Sequence, residues 1–327
     1  MTKGNAGCCA KRRADDPSAA AGPVASASGI IRSPTAVPRR WSPLIGGSFL
    51  MGSGDSRFPE DGEGPVRSVT ISEFSIACFA VSNLQFGDFV RATGYTTDAE
   101  RYGWSFVFAG HLPNGFKHEI GSRAADTPWW ILVPHAYWAQ PEGPASTILD
   151  RLDHPVVHVS WNDASAYCNW SNTRLPSEAE WEMAARGGLN QAIYPWGDEL
   201  TVAGEHRCNI WQGDFPNHNT ADDGYGGTAP VHAFAANGYG LHNAAGNVWE
   251  WCADYFSSRY HRLTASHDPL HDQPLPNRSL RGGSFLCHES YCNRYRVAAR
   301  SSNTPDSSSS NIGFRVVRCD GDERRPR

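Results

Sequence analysis

Residues 280–315 read LRGGSFLCHESYCNRYRVAARSSNTPDSSSSNIGFR. Cys287 and Cys292 stand there with four residues between them, among Tyr291, Tyr295, Arg294, Arg296 and Arg300. From Ser301 to Asn311 the chain turns mostly to Ser, Asn, Thr and Asp. A loop this polar beside aromatic residues reads as the lining of a cleft. Two thiols this close can hold a soft metal ion, form a disulfide or sit inert in a core.

The whole chain bounds that choice. Its 327 residues suffice for one large domain or two ordinary ones. Thirty-two Gly and 22 Pro imply many turns and little regular structure, and 12 Trp supply the core area that short elements lack. A net charge of −5 points to neither nucleic acid nor an anionic membrane. No run of eighteen apolar residues predicts a membrane helix. Lys11, Arg12 and Arg13 are followed by a small, polar stretch, so no secretory signal is expected and the default location is cytoplasmic. Nine cysteines, an odd and scattered set, form no disulfide framework.

Residues 1–40 read as a disordered tail in which Cys8 and Cys9 are exposed thiols rather than a metal or redox pair. Strands are expected over 46–52, 66–71 and 74–81, with Glu60, Asp61 and Glu63 in a solvated acidic loop that could instead bind calcium. Ser82 and Gln85 form a capping box for a helix that Gly94 stops. Residues 95–150 read mostly as loop with aromatic anchors at Tyr102, Trp104, Phe106, Phe108, Trp129 and Trp130. A strand over 154–159 would enter a helix capped at Ser160 and Asp163, with His154 and His158 structural rather than ligands. The clearest helix starts at Ser177, with Glu180 at N3, and ends at Gly187. No phosphate-binding loop, dinucleotide fingerprint or Gly-x-Ser-x-Gly elbow is present.

Two segments read as oxygen-ligand cages. Asn209, the Ile210 carbonyl, Asp223 and the Tyr225 carbonyl make one; Asn243, the Gly246 and Val248 carbonyls and Glu250 make the other. Calcium takes six to eight such oxygens, but ordinary Asx-turns use the same residues. Cys287 and Cys292 lack the further Cys or His that zinc needs. On residues alone, inert buried thiols rank first, a redox pair second and Cu(I) third.

Longer strings carry a resemblance: HPVVHVSWNDASAYCNW (154–170), RLPSEAEWE (174–182) with RGG after it, NIWQGDFP (209–216), GYGLHNAAGNVWEW (238–251), and above all RGGSFLCHESYCNRYR with ARSSNTPDSSSSNIGFR. Over roughly 41–318 the chain resembles the formylglycine-generating enzymes of sulfatase maturation, in their bacterial cytosolic form. The resemblance implies an α+β, C-type-lectin-like formylglycine-generating fold with little regular secondary structure, as one domain over 41–318 between tails at 1–40 and 319–327. It implies calcium in both cages and Cu(I) on Cys287 and Cys292. Ser284 and Tyr291 would line the copper and oxygen pocket, Trp249 would form a wall, and Asn311 would hydrogen-bond in a cleft walled by 304–311. The implied reaction uses molecular oxygen to turn the cysteine of a Cys-x-Pro-x-Arg motif into Cα-formylglycine through a hydrolysed thioaldehyde. The client would be an unfolded or nascent sulfatase, and the enzyme a monomer without nucleic-acid or membrane partners. Secretory members carry disulfides; here Cys168 meets Val316, and the other pair falls on Ala185 and Val297, so neither bridge can form. Cys168, Cys208 and Cys252 then read as buried thiols. Two rivals remain: a non-catalytic lectin-like module binding peptide or sugar, and an iron-dependent sulfoxide synthase, whose His-x3-His-x-Glu-like string is missing.

Overall fold

A computed structural model describes residues 13, 40–55, 57–112 and 127–319. Cys8, Cys9 and both tails, apart from Arg13, Arg40 and Cys319, lie outside the described residues. In chain order the elements are β1 (Trp41–Leu44), β2 (Gly47–Met51), β3 (Arg67–Ile71), β4 (Phe74–Ala77), α1 (Asn83–Thr93), α2 (Asp98–Tyr102), β5 (Trp104–Phe108), β6 (Trp130–Pro134), α3 (Trp161–Ser171), β7 (Thr173–Arg174) and α4 (Glu178–Arg186). Two short hairpins follow, β8 (Thr201–Val202) with β9 (Glu205–His206) and β10 (Gly213–Asp214) with β11 (His218–Asn219). The chain closes with β12 (Trp249–Tyr255), α5 (Tyr260–Leu263), β13 (Arg278–Arg281), β14 (Arg300–Asn303), β15 (Ile312–Gly313) and β16 (Val317–Arg318).

Two four-stranded sheets organise these short elements, in the orders β1-β4-β16-β7 and β14-β13-β12-β15. The second is the frame of the site. In it β12 runs antiparallel to β13 and parallel to β15, pairing Trp249 with Ile312. Helix starts follow side-chain chemistry: Ser82, Ser160 and Ser177 each accept from the N3 backbone N–H while Gln85, Asp163 and Glu180 reach back. Gly94 and Gly187 end α1 and α4 in the left-handed region, as expected.

The acidic loop is solvated only at Glu60. Asp61 and Glu63 are buried and pair with Arg294 (2.6 Å) and Arg296 (2.7 Å). Most of the described residues in 95–150 are irregular, as expected, but the aromatic anchors ride on a hairpin: β5 and β6 pair antiparallel from Trp104↔Pro134 to Phe108↔Trp130. Alternation sends Trp104, Phe106, Phe108, Trp130 and Leu132 to one apolar cluster and Val107, Ile131 and Val133 to another. The expected strand at 154–159 does not form. Pro155 makes one isolated bridge to Ser82, and His158 takes φ 58°, which breaks an extended run. Strand β4 stops at Ala77, and the Cys78 and Val81 N–H groups donate instead to Arg40 and Phe314 carbonyls.

All nine residues of α4 are buried, so its charges must find partners inside. Glu178 takes the Arg300 guanidinium at 2.7 Å and the Ser279 hydroxyl at 2.6 Å. Glu182 holds Arg186 and Arg281. Trp181 Nε1 donates to Glu250 (2.7 Å), which also takes both Arg315 arms at 2.5 and 2.7 Å. Cys168 and Val316 pack in one apolar cluster, and Ala185 and Val297 in a second.

Breaking a buried ion pair from one side costs about 3–5 kcal/mol, because the partner charge stays buried. Glu178→Ala is expected to lower the unfolding free energy measured in guanidinium by that order, against about 1 kcal/mol for the cap variant Ser177→Ala. Burial alone would raise the Glu178 carboxyl, but Arg300 and Arg281 outweigh it and hold it at about 2. A depressed folded value stabilises above the ordinary value of 4.5 and is lost as pH falls toward about 2. Acid denaturation curves should therefore show a drop across that window that Glu178→Gln removes.

Candidate active site

The site grows from the ends of β12, β13 and β15. After Arg281 the chain turns through Gly282 (φ 94°) and Gly283 (φ 76°). A Cβ on Gly283 would lie 2.8 Å from the Arg294 carbonyl oxygen, so the two limbs of the cysteine loop meet there only with glycine. Turn hydrogen bonds, Cys287 N–H to Ser284 O and Cys292 N–H to His288 O, both 2.9 Å, bring the cysteines inward. Both are buried, in one apolar cluster with Trp249, Tyr295, Cys208, Ile210 and Ile312. From outside, Asp61 and Glu63 grip Arg294 and Arg296, and Phe58 lies under Arg294 at 4.0 Å.

Ser284 and Asn311 lie together. Asn311 Nδ2 donates to Ser284 Oγ (3.0 Å), and the Ser284 N–H donates to Cys287 Sγ (3.4 Å). Ser309 Oγ donates to Asn311 Oδ1 (2.7 Å), which fixes the amide orientation. Trp249 is fully buried, its backbone N–H donating to the Asn311 carbonyl. Tyr291 stacks on Phe215 (4.7 Å, 13°) and meets Trp129 edge-on (4.9 Å). Burial and the neighbouring Tyr194, Cys208, Cys287 and Cys292 side chains push the Tyr295 phenol up, so it stays neutral beside the thiols.

The Ser-rich loop is buried along 307–310. Ser308 Oγ lies 2.8 Å from Ser105 Oγ, which lies 2.8 Å from His158 Nδ1. Burial lowers His158 to about 3, leaving a neutral imidazole that orients hydroxyls. Next to Ser308, the Arg13 guanidinium lies 4.1 Å from both the Tyr102 and Trp104 ring centres. A cavity of about 670 Å³ opens elsewhere along this wall, lined by His111, Glu142, Arg151, Phe285 and Ser310 among others.

Of the first proposed oxygen cage, Asp223 and the Ile210 carbonyl meet through Gln212. Ile210 and Tyr225 N–H groups donate to the two Asp223 oxygens (3.0 and 2.9 Å), and Gln212 Nε2 donates to both the Ile210 carbonyl (2.5 Å) and Asp223 (3.0 Å). Asn209 Oδ1 is buried with no hydrogen-bond partner. In the second, Asn243 Oδ1 is likewise buried and unpartnered, while Glu250 spends its carboxylate on Arg315 and Trp181. Among the described residues no group of three or more His, Cys, Asp or Glu forms a metal cluster. A metal here would rest on two thiols, or on amide and carbonyl oxygens.

Phe215, Asp61 and Glu63 are site residues that sequence reasoning missed. Phe215 stood in the quoted NIWQGDFP string, while the carboxylates act 233 residues away from their arginines.

The family of sulfatase-modifying factor enzyme 1-like domains matches residues 34–319. A formylglycine-generating enzyme of Thermomonospora curvata is 61% identical over 88% of this chain and 95% of its own length. One of Streptomyces coelicolor is 57% identical over 84% and 87%. Among solved structures, PvdO from Pseudomonas aeruginosa superposes with a TM-score of 0.59 at 24% identity, over 85% of this chain and 93% of that one. Few helices, short strands and long ordered loops give the expected C-type-lectin-like formylglycine-generating fold, and the chain belongs to the sulfatase-modifying factor, or formylglycine-generating, family.

Proposed function

We propose that the protein oxidises the cysteine of a sulfatase's Cys-x-Pro-x-Arg motif to Cα-formylglycine, using Cu(I) and molecular oxygen. The buried Cys287–Cys292 pair, hydrogen-bonded to Ser284 and closed by Asn311 and Trp249, carries this reading. Relatives named formylglycine-generating enzymes support the sulfatase client.

The donor set fits Cu(I). Two thiol sulfurs in an apolar cluster suit a soft ion content with few ligands. Bound there, copper would supply one-electron chemistry toward oxygen. The chain's residues do the rest. The Ser284 N–H on Cys287 Sγ favours the thiolate that a metal needs. Asn311, locked by Ser309, holds the Ser284 hydroxyl in place. Tyr291, Phe215 and Trp129 form an aromatic cluster, with Tyr291 packed against the apolar group that holds the two thiols. The client Cβ loses two electrons and its sulfur departs as sulfide on hydrolysis. Oxygen takes four electrons to become water, so an external reductant must supply the other two.

Calcium in the two cages fits the unpartnered Asn209 and Asn243 carbonyl oxygens, which a cation would satisfy. In this reading Gln212 Nε2 stands between oxygens that would turn to the ion. A cytoplasmic location agrees with apolar Val316, Ala185 and Val297 where secretory relatives would form bridges. Among the described residues no helix is long and apolar enough to cross a membrane.

Mass spectrometry of a Cys-x-Pro-x-Arg peptide incubated with copper-loaded protein, oxygen and a thiol reductant should show aldehyde formation. Cys287→Ser and Cys292→Ser should each abolish it, and copper should no longer co-purify; turnover by either variant would sink the copper–thiolate proposal, while no turnover by the unaltered protein would favour the binding module. Asn311→Ala should lower the rate by roughly 10- to 1,000-fold through the misplaced Ser284 hydroxyl. Strong chelation of calcium should lower the melting temperature, and Asp223→Ala should remove most of that sensitivity. An unchanged melt would reject structural calcium.

A further inference from the structure

A cavity of about 670 Å³ borders the thiol site and takes no part in the chemistry derived above. That volume lies within the range, about 300–1,000 Å³, of clefts that enclose small ligands. Two of its lining residues, Phe285 and Ser310, are the chain neighbours of Ser284 and Asn311. Those neighbours are joined by the 3.0 Å bond from Asn311 Nδ2 to Ser284 Oγ, and the Ser284 N–H donates to Cys287 Sγ at 3.4 Å. The cavity therefore begins one residue from the groups that contact a thiol. Its apolar lining comes from Pro141, Pro155, Val157 and Phe285, the last stacked on the His111 ring at 5.3 Å.

One acceptor in it is unused. Asn83 lines the cavity and is 2% exposed, and its Oδ1 has no hydrogen-bond partner. The orientation of that amide is fixed, because Nδ2 donates to the Arg151 carbonyl (2.9 Å), which can only accept. The Asn83 backbone N–H donates to the His154 carbonyl (2.9 Å), so the residue is held firmly at the start of α1. A buried acceptor without a donor is costly, and the cavity is where a ligand's N–H can reach it. Arg151 supplies the complementary group. Its Nη1 donates to Glu142 (2.8 Å) and its Nε to Asp150 (3.2 Å). Among the described residues Nη2 has no such partner, so it remains a donor. An acceptor and a donor on bonded neighbours match the N–H and C=O of a peptide backbone. A cation is disfavoured, since Arg151 stands in the lining and its carboxylate partner Glu142 is already paired.

From this we infer that the cavity is a client subsite: it takes the uncharged backbone immediately before the client cysteine, with a peptide N–H on Asn83 Oδ1 and a carbonyl on Arg151. The inference rests on the reading of the client motif proposed above. The motif's arginine follows the cysteine and is repelled by Arg151, so the segment that enters is the one on the other side. Three extended residues span about 10 Å, so the subsite reads only the near flank of the motif.

The test uses three acetylated fluorescent peptides in which serine replaces the client cysteine. One begins at that serine, one has three uncharged residues added before it, and one has three added after the arginine. Anisotropy should show the first extension binding about tenfold tighter than the short peptide. Asn83→Ala should weaken that extended peptide by roughly 2- to 10-fold, the worth of one hydrogen bond, and leave the short peptide unchanged. Ala145→Trp, which fills the cavity from an exposed lining position, should remove the whole gain, and it decides the matter if Asn83→Ala does not fold. N-methylation of one of the three added amides should cost the unaltered protein as much as Asn83→Ala does. Equal binding of the short and extended peptides overturns the inference. So does a gain that survives in Ala145→Trp or undiminished in folded Asn83→Ala, or a gain from the extension after the arginine that these variants abolish. No binding of any peptide rejects the client reading and the subsite with it. Conversion of the unmodified cysteine peptide is scored separately by mass spectrometry. Its absence while the binding pattern holds rejects the reaction and leaves the subsite standing.

Discussion

Everything near the thiols hangs on arginine held inside the protein. Arg281, Arg300 and Arg315 are each 1% exposed or less, and each meets a buried glutamate: Glu182, Glu178 and Glu250. The glutamates come from α4 and β12, the arginines from β13, β14 and the strand ends after them. A fold with such short strands cannot rely on ladder hydrogen bonds to set the spacing of its sheets. A planar guanidinium with five donors can, because it fixes both distance and direction. Each pair also links segments far apart in sequence, so the lattice specifies which loops meet as well as holding them together.

The cysteine loop sits between two such grips. Arg281 anchors the strand that enters it, and Arg294 and Arg296 are seized on its outer side by Asp61 and Glu63. The two cysteines therefore ride on a short irregular stretch whose ends are nailed down. Under the proposed reaction, that would suit a pair of thiols which must stay close while the client sulfur comes and goes. The Ser-rich loop answers from the other side, pinned through Ser105, His158 and Phe106.

Local chemistry was well legible in the sequence. Capping boxes at Ser82, Ser160 and Ser177 need only residues three apart, and all three formed. The resemblance named Ser284 and Asn311 separately, and their contact across 27 residues emerged only in the fold. What stayed hidden was non-local. A W-S-F-V-F alternation is a strand signal, yet β5 reads as loop until its partner β6 is known. Asp61 and Glu63 look like solvated charges because their arginines arrive 233 residues later. The strand expected at 154–159 failed on one backbone angle at His158, which composition does not encode.

The apolar pairs at 168/316 and 185/297 have a chemical consequence. The reaction proposed for this site consumes reducing equivalents from thiols in solution, and such thiols attack disulfides. A scaffold tied together by bridges would be exposed to the same reagent that sustains its turnover. Here Cys168 packs with Val316 and Ala185 with Val297 in apolar clusters, and arginine–glutamate pairs bind β13 and β14 to α4 and Arg315 to β12. None of those interactions is touched by a reductant. The redox conditions can then be set by the needs of the Cys287–Cys292 pair alone, with no compromise made for the integrity of the fold.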